Sequence, residues 1–478
     1  MGIALSERKK KVIEAMDKLA EKRDKYIKRN KYYYKDLLKL FRYNIPEGSK
    51  ILEIGCGTGY LLNSLNPYRG VGIDISSKMV DVAKKKYHHL EFIHEDAEHL
   101  SLSDETFDFI IISDTLSYFE DIQQVFTGLW KVSHPATRII ISYHSYLWHP
   151  FLRIAEFFGV KMPRMRLNWL HRKDIETLFE VEGFDIVKSG RRFLFPKFVP
   201  LISWFFNKYV SQFPFFRYFC LTGYTIARPL ISHPRDNKLY SVSIIIPARN
   251  EKGNIENAVK RIPSMGKHIE IIFVEGHSKD GTFEEIKRVT RKYSDKWDIK
   301  CFTQEGKGKA DAVRKGFAHA TGDILMILDA DLTVPPEDLP KFYNAIATGK
   351  GEFINGSRLV YPMEKASMRT LNIIGNKFFS VMLSWILGQH IKDTLCGTKV
   401  IFKKDWEKIL KNREYFGDFD PFGDYDLIFG ASKLNLKIVE IPIRYRERKY
   451  GETQISRFRH GWLLLKVTLF SARKIKFN

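Results

Sequence analysis

Acidic residues are in short supply. Against 78 lysines and arginines stand 56 aspartates and glutamates, a formal charge of +22 over 478 residues. Residues 1–50 carry +8, residues 151–250 carry +9 and residues 451–478 carry +5, while the stretches between them cancel. Positive charge confined to particular segments points to an anionic surface nearby, and charge alone does not choose between nucleic acid and anionic lipid. Cysteine is scarce as well. Cys56, Cys220, Cys301 and Cys396 lie far apart. No pair has metal-ligand or redox spacing, so a reduced, cytosolic-side protein without structural zinc is expected. Long apolar runs are missing: the longest uncharged stretch, Phe378 to Ile391, has 14 residues, against roughly 20 for a membrane span. Charge from Glu7 onward, with no apolar core before it, argues against a secretory signal.

What is present is globular in character, with 44% apolar and 14% aromatic residues. The length predicts two or three domains. Residues 1–44 read as a basic helical extension with Lys9 to Lys11 and the cluster Tyr32-Tyr33-Tyr34. From Lys50 short apolar strands alternate with helical stretches: Ile51–Ile54, Gly70–Ile73, Leu90–Ile93, Phe107–Ile112 and Arg138–Ser142, then Gly183–Val187 and Gly223–Ala227. That alternation indicates a parallel, doubly wound sheet over residues 45–230. An aromatic insertion, 191–221, interleaves phenylalanines with cations and reads either as a core hairpin or lid or as an amphipathic element at a membrane interface. Residues 231–240 form a polar, proline-punctuated linker. A second alternation, Ser241–Pro247, Glu270–Glu275 and Gly322–Leu328, opens another α/β domain over 241–450, and 451–478 is a basic amphipathic segment.

The first chemical signal is Glu53-Ile54-Gly55-Cys56-Gly57-Thr58-Gly59 between a strand and a helix. Glycines permit close backbone approach to a ligand, and the helix N-terminus offers free N–H groups. Asp74 ends the second strand about 20 residues on, placed to accept from a ribose diol, and His94-Glu95-Asp96-Ala97 ends the third. This order resembles class I S-adenosylmethionine-dependent methyltransferases. The resemblance implies that Glu53, Gly55 and Gly57 line the methionine part, that Asp74 meets the ribose, and that Asp96 and Ala97 flank the adenine. Asp114 would begin the cofactor-side loop after the fourth strand. Tyr143, His144 and His149 follow the fifth strand and are candidate acceptor-site bases, or ordinary loop residues.

The second signal is Asp329-Ala330-Asp331 after an apolar strand, two hard carboxylates suited to one divalent cation on a diphosphate. Upstream stand Pro247-Ala248-Arg249-Asn250-Glu251, then Glu275-Gly276-His277-Ser278-Lys279-Asp280, then Lys307-Gly308-Lys309. The series resembles inverting family-2 glycosyltransferases of the glycosyltransferase A fold. Asn355-Gly356-Ser357-Arg358, Arg369, Asp393-Thr394-Leu395-Cys396-Gly397 and Arg448-Lys449-Tyr450-Gly451-Glu452-Thr453 narrow it to the polyprenyl-phosphate sugar synthases, the dolichyl-phosphate mannose synthase type.

The expected architecture is α/β with two doubly wound domains, a Rossmann-like class I methyltransferase followed by a glycosyltransferase A fold. The second resemblance implies nucleotide-sugar contacts from Pro247, Arg249, Glu251, Glu275, Asp280, Lys309, Asp329 and Ala330, with Asp329 and Asp331 holding Mg²⁺ or Mn²⁺ and Asp331 counted as catalytic. The donor would be GDP- or UDP-linked. A lipid phosphate is already an anionic nucleophile and needs cations rather than a base, so Arg358, Arg369 and Arg448 are candidate phosphate contacts. Asp424 offers an alternative, in which a saccharide hydroxyl is the acceptor and this carboxylate the general base. The reading is a bifunctional enzyme that glycosylates a polyprenyl phosphate and methylates a related glycolipid or saccharide. It would sit peripherally on the cytoplasmic face of an anionic membrane, with room for a membrane-protein partner. No basic-aromatic RNA module is recognisable, so nucleic acid is not an expected partner.

Overall fold

A computed structural model of the chain describes residues 6–102, 105–163, 170–230, 239–358, 370–412, 425–446, 448, 450 and 457–477, the side chains of 370–374 and 457–460 excepted. The expected positions Arg369 and Asp424, most of the linker and the 451–456 motif lie outside the described residues. The chain forms two compact units that divide after Leu230.

The first unit is built on seven strands: β1 (Lys50–Ile54), β2 (Arg69–Asp74), β3 (Glu91–His94), β4 (Phe107–Ser113), β5 (Ser133–His144), β6 (Phe184–Arg192) and β7 (Thr222–Pro229). Their order is β3-β2-β1-β4-β5-β7-β6, with β7 antiparallel to both neighbours and the other pairings parallel. Alternate side chains of each central strand enter different clusters. Ile51, Ile111 and Ile140 pack with Leu37 and Phe41, whereas Leu52, Ile110 and Ile139 pack with Phe126 and Phe179. A strand buried on both faces needs such an unbroken apolar run. Leu37 and Phe41 belong to the N-terminal helix Lys31–Asn44, so the basic segment supplies one layer of this unit.

β6 runs through Arg192, later than the predicted start of the insertion at 191. Arg192 is not a free surface cation: its guanidinium forks onto Asp36 at 2.7 and 2.8 Å. The insertion itself folds into short helices, Ile202–Lys208 and Pro214–Arg217, with Phe193 buried and most other aromatics exposed.

The second unit carries β8 (Val242–Ala248), β9 (Ile269–Glu275), β10 (Asp298–Thr303), β11 (Ile324–Ile327), β12 (Phe353–Ser357), β13 (Lys399–Phe402) and β14 (Ile438–Pro442). Their order is β10-β9-β8-β11-β13-β12-β14. β13 is antiparallel to β11 and β12. The helix Arg457–Ser471 buries Leu464 and Val467 and leaves Trp462 and Leu469 exposed. Among the described residues no helix is long and apolar enough to cross a membrane.

Candidate functional sites

The strand order of the first unit sets a row of loops along the carboxyl edge of its sheet: Asp96 and Ala97 after β3, Asp74 at the tip of β2, the glycine turn after β1, Asp114 after β4 and His144 ending β5. All of these line one cavity of about 700 Å³. Gly55, Gly57 and Gly59 adopt φ of +75°, +54° and +74°. A Cβ on Gly55 would stand 2.3 Å from Thr115 Cγ2, and one on Gly57 would stand 2.5 Å from Arg23 Nε. Only glycine tolerates both the conformation and the crowding.

Asp74 accepts from the Gly57 N–H at 2.8 Å and the Ser76 N–H at 2.9 Å, and burial still raises its pKa above the usual value. Glu53 lies beneath the turn, accepts the Leu62 N–H at 3.0 Å, and is pushed by burial to a pKa of about 8 against the pull of Arg23. Each Asp74 oxygen carries one backbone bond and keeps acceptor capacity for a hydroxyl.

The N-terminal segment lines much of this cavity, and reading it as an extension missed the polar groups it brings there, Lys9, Arg23 and Tyr33 among them. Lys9 binds Asp96 at 2.5 Å and Glu98 at 2.9 Å. Arg23 sits against Gly57. Tyr33 donates to Asp114 Oδ2 at 2.5 Å, and its ring stacks on His144 at 5.5 Å. Burial and the Asp114 charge raise the Tyr33 phenol well above its usual pKa, keeping it a donor. Asp114 also accepts from Ser142 Oγ at 3.2 Å and faces His144 Nδ1 at 3.6 Å. Of the three candidate bases only His144 lines the cavity. Tyr143, the preceding strand residue, packs into the core on the opposite face of the sheet, and His149 starts the next helix.

In the second unit the loops after β8, β9 and β11 are tied together. The Ser278 N–H donates to Glu275 Oε1 at 2.5 Å, and the Asn250 N–H donates to Ser278 Oγ at 3.0 Å. Asp280 accepts from the Lys252 N–H at 3.2 Å and from Thr282. Arg448 bridges two carboxylates, Glu251 at 3.0 Å and Asp331 at 2.7 Å. Lys309 pairs with Asp329 at 2.6 Å. Thr333 donates to Asp331 through both its N–H, at 3.1 Å, and its hydroxyl, at 2.8 Å. The Thr333 carbonyl accepts from the Arg446 N–H at 2.9 Å, which seats the irregular segment that follows β14 two residues before Arg448. Ala330 is buried between the two aspartates, whereas Arg249 is exposed and Pro247 half-buried at the end of β8.

Arg358 departs from expectation. Its guanidinium is locked onto fully buried Asp393 at 2.6 and 2.7 Å, so its fork holds a loop rather than standing free for a phosphate. Burial alone would raise the Asp393 pKa, but Arg358 with the Asn376 amide holds it at about 2. That loop leads to Gly397, where a Cβ would fall 1.8 Å from Asp329 Oδ2. The donor set of Asp329 and Asp331 is all hard oxygen and fits Mg²⁺ or Mn²⁺. Among the described residues no third His, Cys, Asp or Glu joins them, so substrate oxygens and water would complete the shell.

Residues 243–410 match the family model for glycosyl transferase family 2. A dolichol-phosphate mannosyltransferase of Pyrococcus furiosus is 41% identical over 254 residues, covering 50% of this chain and 67% of that protein. The chain belongs to the family-2 glycosyltransferases. The hexosyltransferase Agl6 of low-salt glycan biosynthesis in Haloferax volcanii is 26% identical, over 50% of this chain and 55% of the relative. An undecaprenyl-phosphate 4-deoxy-4-formamido-L-arabinose transferase of Edwardsiella ictaluri is 25% identical, over 45% and 62%. The chain thus spans between half and two thirds of the length of these relatives. Residues 52–141 match a methyltransferase domain model, and the chain is an enzyme joining a methyltransferase domain to a family-2 glycosyltransferase domain. Similar solved structures include a putative methyltransferase of Haloferax volcanii in complex with the Trm112 activator, at 19% identity over 47% of this chain and all of that one, with a TM-score of 0.37.

Proposed function

We propose that the second unit transfers a sugar from a GDP- or UDP-linked donor to a polyprenyl phosphate at a membrane surface, and that the first methylates a related glycolipid or saccharide with S-adenosylmethionine. The observation that carries the glycosyl transfer reading is the convergence of two cations, Lys309 and Arg448, on Asp329 and Asp331. A phosphate acceptor arrives already ionised, so positive charge that binds and orients it does more than a base would. Asp329 and Asp331 would hold Mg²⁺ or Mn²⁺, which neutralises the donor diphosphate. Glu251, Glu275 and Asp280 stand on the adjoining loops for the nucleoside, with Pro247, Arg249 and Ala330 beside them. Arg448 would be the phosphate contact: it too is ion-paired, but its partners Glu251 and Asp331 are the residues assigned to nucleotide and metal, whereas Arg358 is locked on fully buried Asp393.

In the first unit, Glu53, Gly55, Gly57 and Arg23 would hold the methionine part, Asp74 the ribose, and Asp96 with Ala97 the adenine. The bound sulfonium supplies an electrophilic methyl group. His144 would take the proton of an acceptor hydroxyl, with Asp114 and Tyr33 fixing its ring. Calorimetric titration of GDP and UDP in the presence of Mn²⁺ tests the nucleotide site. Asp331→Asn is expected to weaken one of them by about tenfold or more, and equal affinity in both proteins would remove the metal assignment.

A further inference from the structure

The first unit carries an apolar face that continues outward from the rim of its cavity. Helix His149–Phe157 buries none of its residues, although Phe151 is 62% exposed, Ile154 56% and Phe157 86%. Helix Pro214–Arg217 also buries none, and its Phe215 is 69% exposed. The two segments are joined, because Trp148 Nε1 donates to the Phe219 carbonyl at 2.7 Å and the Ser145 N–H to the Leu221 carbonyl at 2.7 Å. The far end of the first helix is pinned by Arg29 on the Gly159 carbonyl at 2.8 Å and Asn30 on the Val160 carbonyl at 3.1 Å.

This face reaches the methyltransferase cavity. Phe151, Val160 and Phe198 line the cavity and are exposed at the same time, so the mouth is rimmed by apolar side chains. A helix whose apolar residues spread well beyond its one polar stripe of Arg153 and Glu156, and which buries none of them, is completed by something outside the fold. The charge pattern says what. No aspartate or glutamate occurs from residue 157 to 173 or from 186 to 235. Lys208 lies over the Trp204 ring at 6.0 Å and Arg191 over Tyr218 at 5.5 Å, which is how long cations hold their heads at a polar boundary above buried stems.

We propose that this face docks on an anionic bilayer with the cavity mouth turned toward the lipid, so that the methyl acceptor is a lipid-linked molecule presented from the membrane. The acceptor assignment rests on the methylation reading above; the docking does not. A surface of aromatic residues and cations with almost no acids fits a sheet of anionic headgroups over an apolar interior.

The test is co-sedimentation of the full chain with vesicles of phosphatidylcholine and phosphatidylglycerol, against phosphatidylcholine alone. Wild type is expected in the anionic pellet and mostly in the supernatant of the neutral one. Phe157→Glu with Phe215→Glu, neither of which lines the cavity, is expected to lower partitioning by about tenfold or more with S-adenosylhomocysteine affinity unchanged, which shows the unit still folded. Lys208→Glu, which leaves the apolar face intact, makes the same comparison through charge. Binding by these variants equal to wild type would overturn the proposal. So would a wild-type self-association that the double variant abolishes, since the face would then be an interface between copies. Failure of wild type to bind S-adenosylhomocysteine would instead sink the methylation reading and leave the docking result standing.

Discussion

Asp393→Asn removes a charge from the centre of the second unit while changing little volume. Asp393 is fully buried and accepts the Arg358 fork at 2.6 and 2.7 Å, the Arg358 N–H at 2.9 Å and the Asn376 amide at 3.0 Å. Its pKa lies at about 2 against an ordinary 3.8. The difference corresponds to about 2.5 kcal/mol of folding free energy. Because the folded value is depressed, that contribution is present above about pH 4 and is lost as pH falls toward 2. The asparagine also leaves a buried guanidinium without its counter-charge, and breaking one side of such a pair costs about 3–5 kcal/mol. For a unit of this size that lowers Tm by roughly 10 °C. Differential scanning calorimetry at pH 7 and at falling pH measures it. The loss should shrink toward zero as the wild-type carboxylate protonates, and Arg358→Met combined with Asp393→Asn should recover part of it. A single-variant loss under about 1 kcal/mol, flat with pH, would refute the reasoning that this pair is structural.

Gly397→Ala places a methyl group where Asp329 Oδ2 now lies, so glycosyl transfer should fall by about a hundredfold or more while the Tm of the unit stays near wild type; donor-labelled turnover reads the first and calorimetry the second. Glu53→Gln should make the first unit more stable than wild type at pH 8 and equal to it near pH 4.5. The reason is that the raised carboxyl, at about 8, holds a proton that the unfolded chain releases, so wild-type stability declines across that window. Thermal melts of the first unit's transition across that range check it. His144→Gln should cut methyl transfer by about a hundredfold and leave S-adenosylhomocysteine affinity within about twofold, measured by equilibrium dialysis.

All seven strands of the first sheet were legible, and in the second β8, β9 and β11 were, because the central strands are buried on both faces and carry apolar runs such as Phe109–Ile112 and Ile271–Val274. β10, with the sequence Asp-Ile-Lys-Cys-Phe-Thr, is a half-buried edge strand whose polar residues break the run, and the four-residue β13 is too short for any periodicity to show. The motif carboxylates lie on loops at strand ends, where Asp74, Asp329 and Asp331 were placed from spacing. The contributions of Lys9, Arg23 and Tyr33 were not readable. Helical spacing reports that a segment is amphipathic, not which cavity its polar side chains enter, and contacts such as Tyr33–Asp114 span 81 positions. Arg358 shows the opposite limit: a motif match located the residue, while its partner, Asp393, assigns it to holding a loop.

The central claim is sugar transfer to a lipid phosphate. The purified protein would be incubated with a membrane lipid extract, Mg²⁺ or Mn²⁺, and a panel of labelled GDP- and UDP-sugars, with Asp331→Asn as control and label followed between aqueous and organic phases. Label entering the organic phase with wild type alone is the predicted result. Label that stays aqueous for every donor would contradict the account.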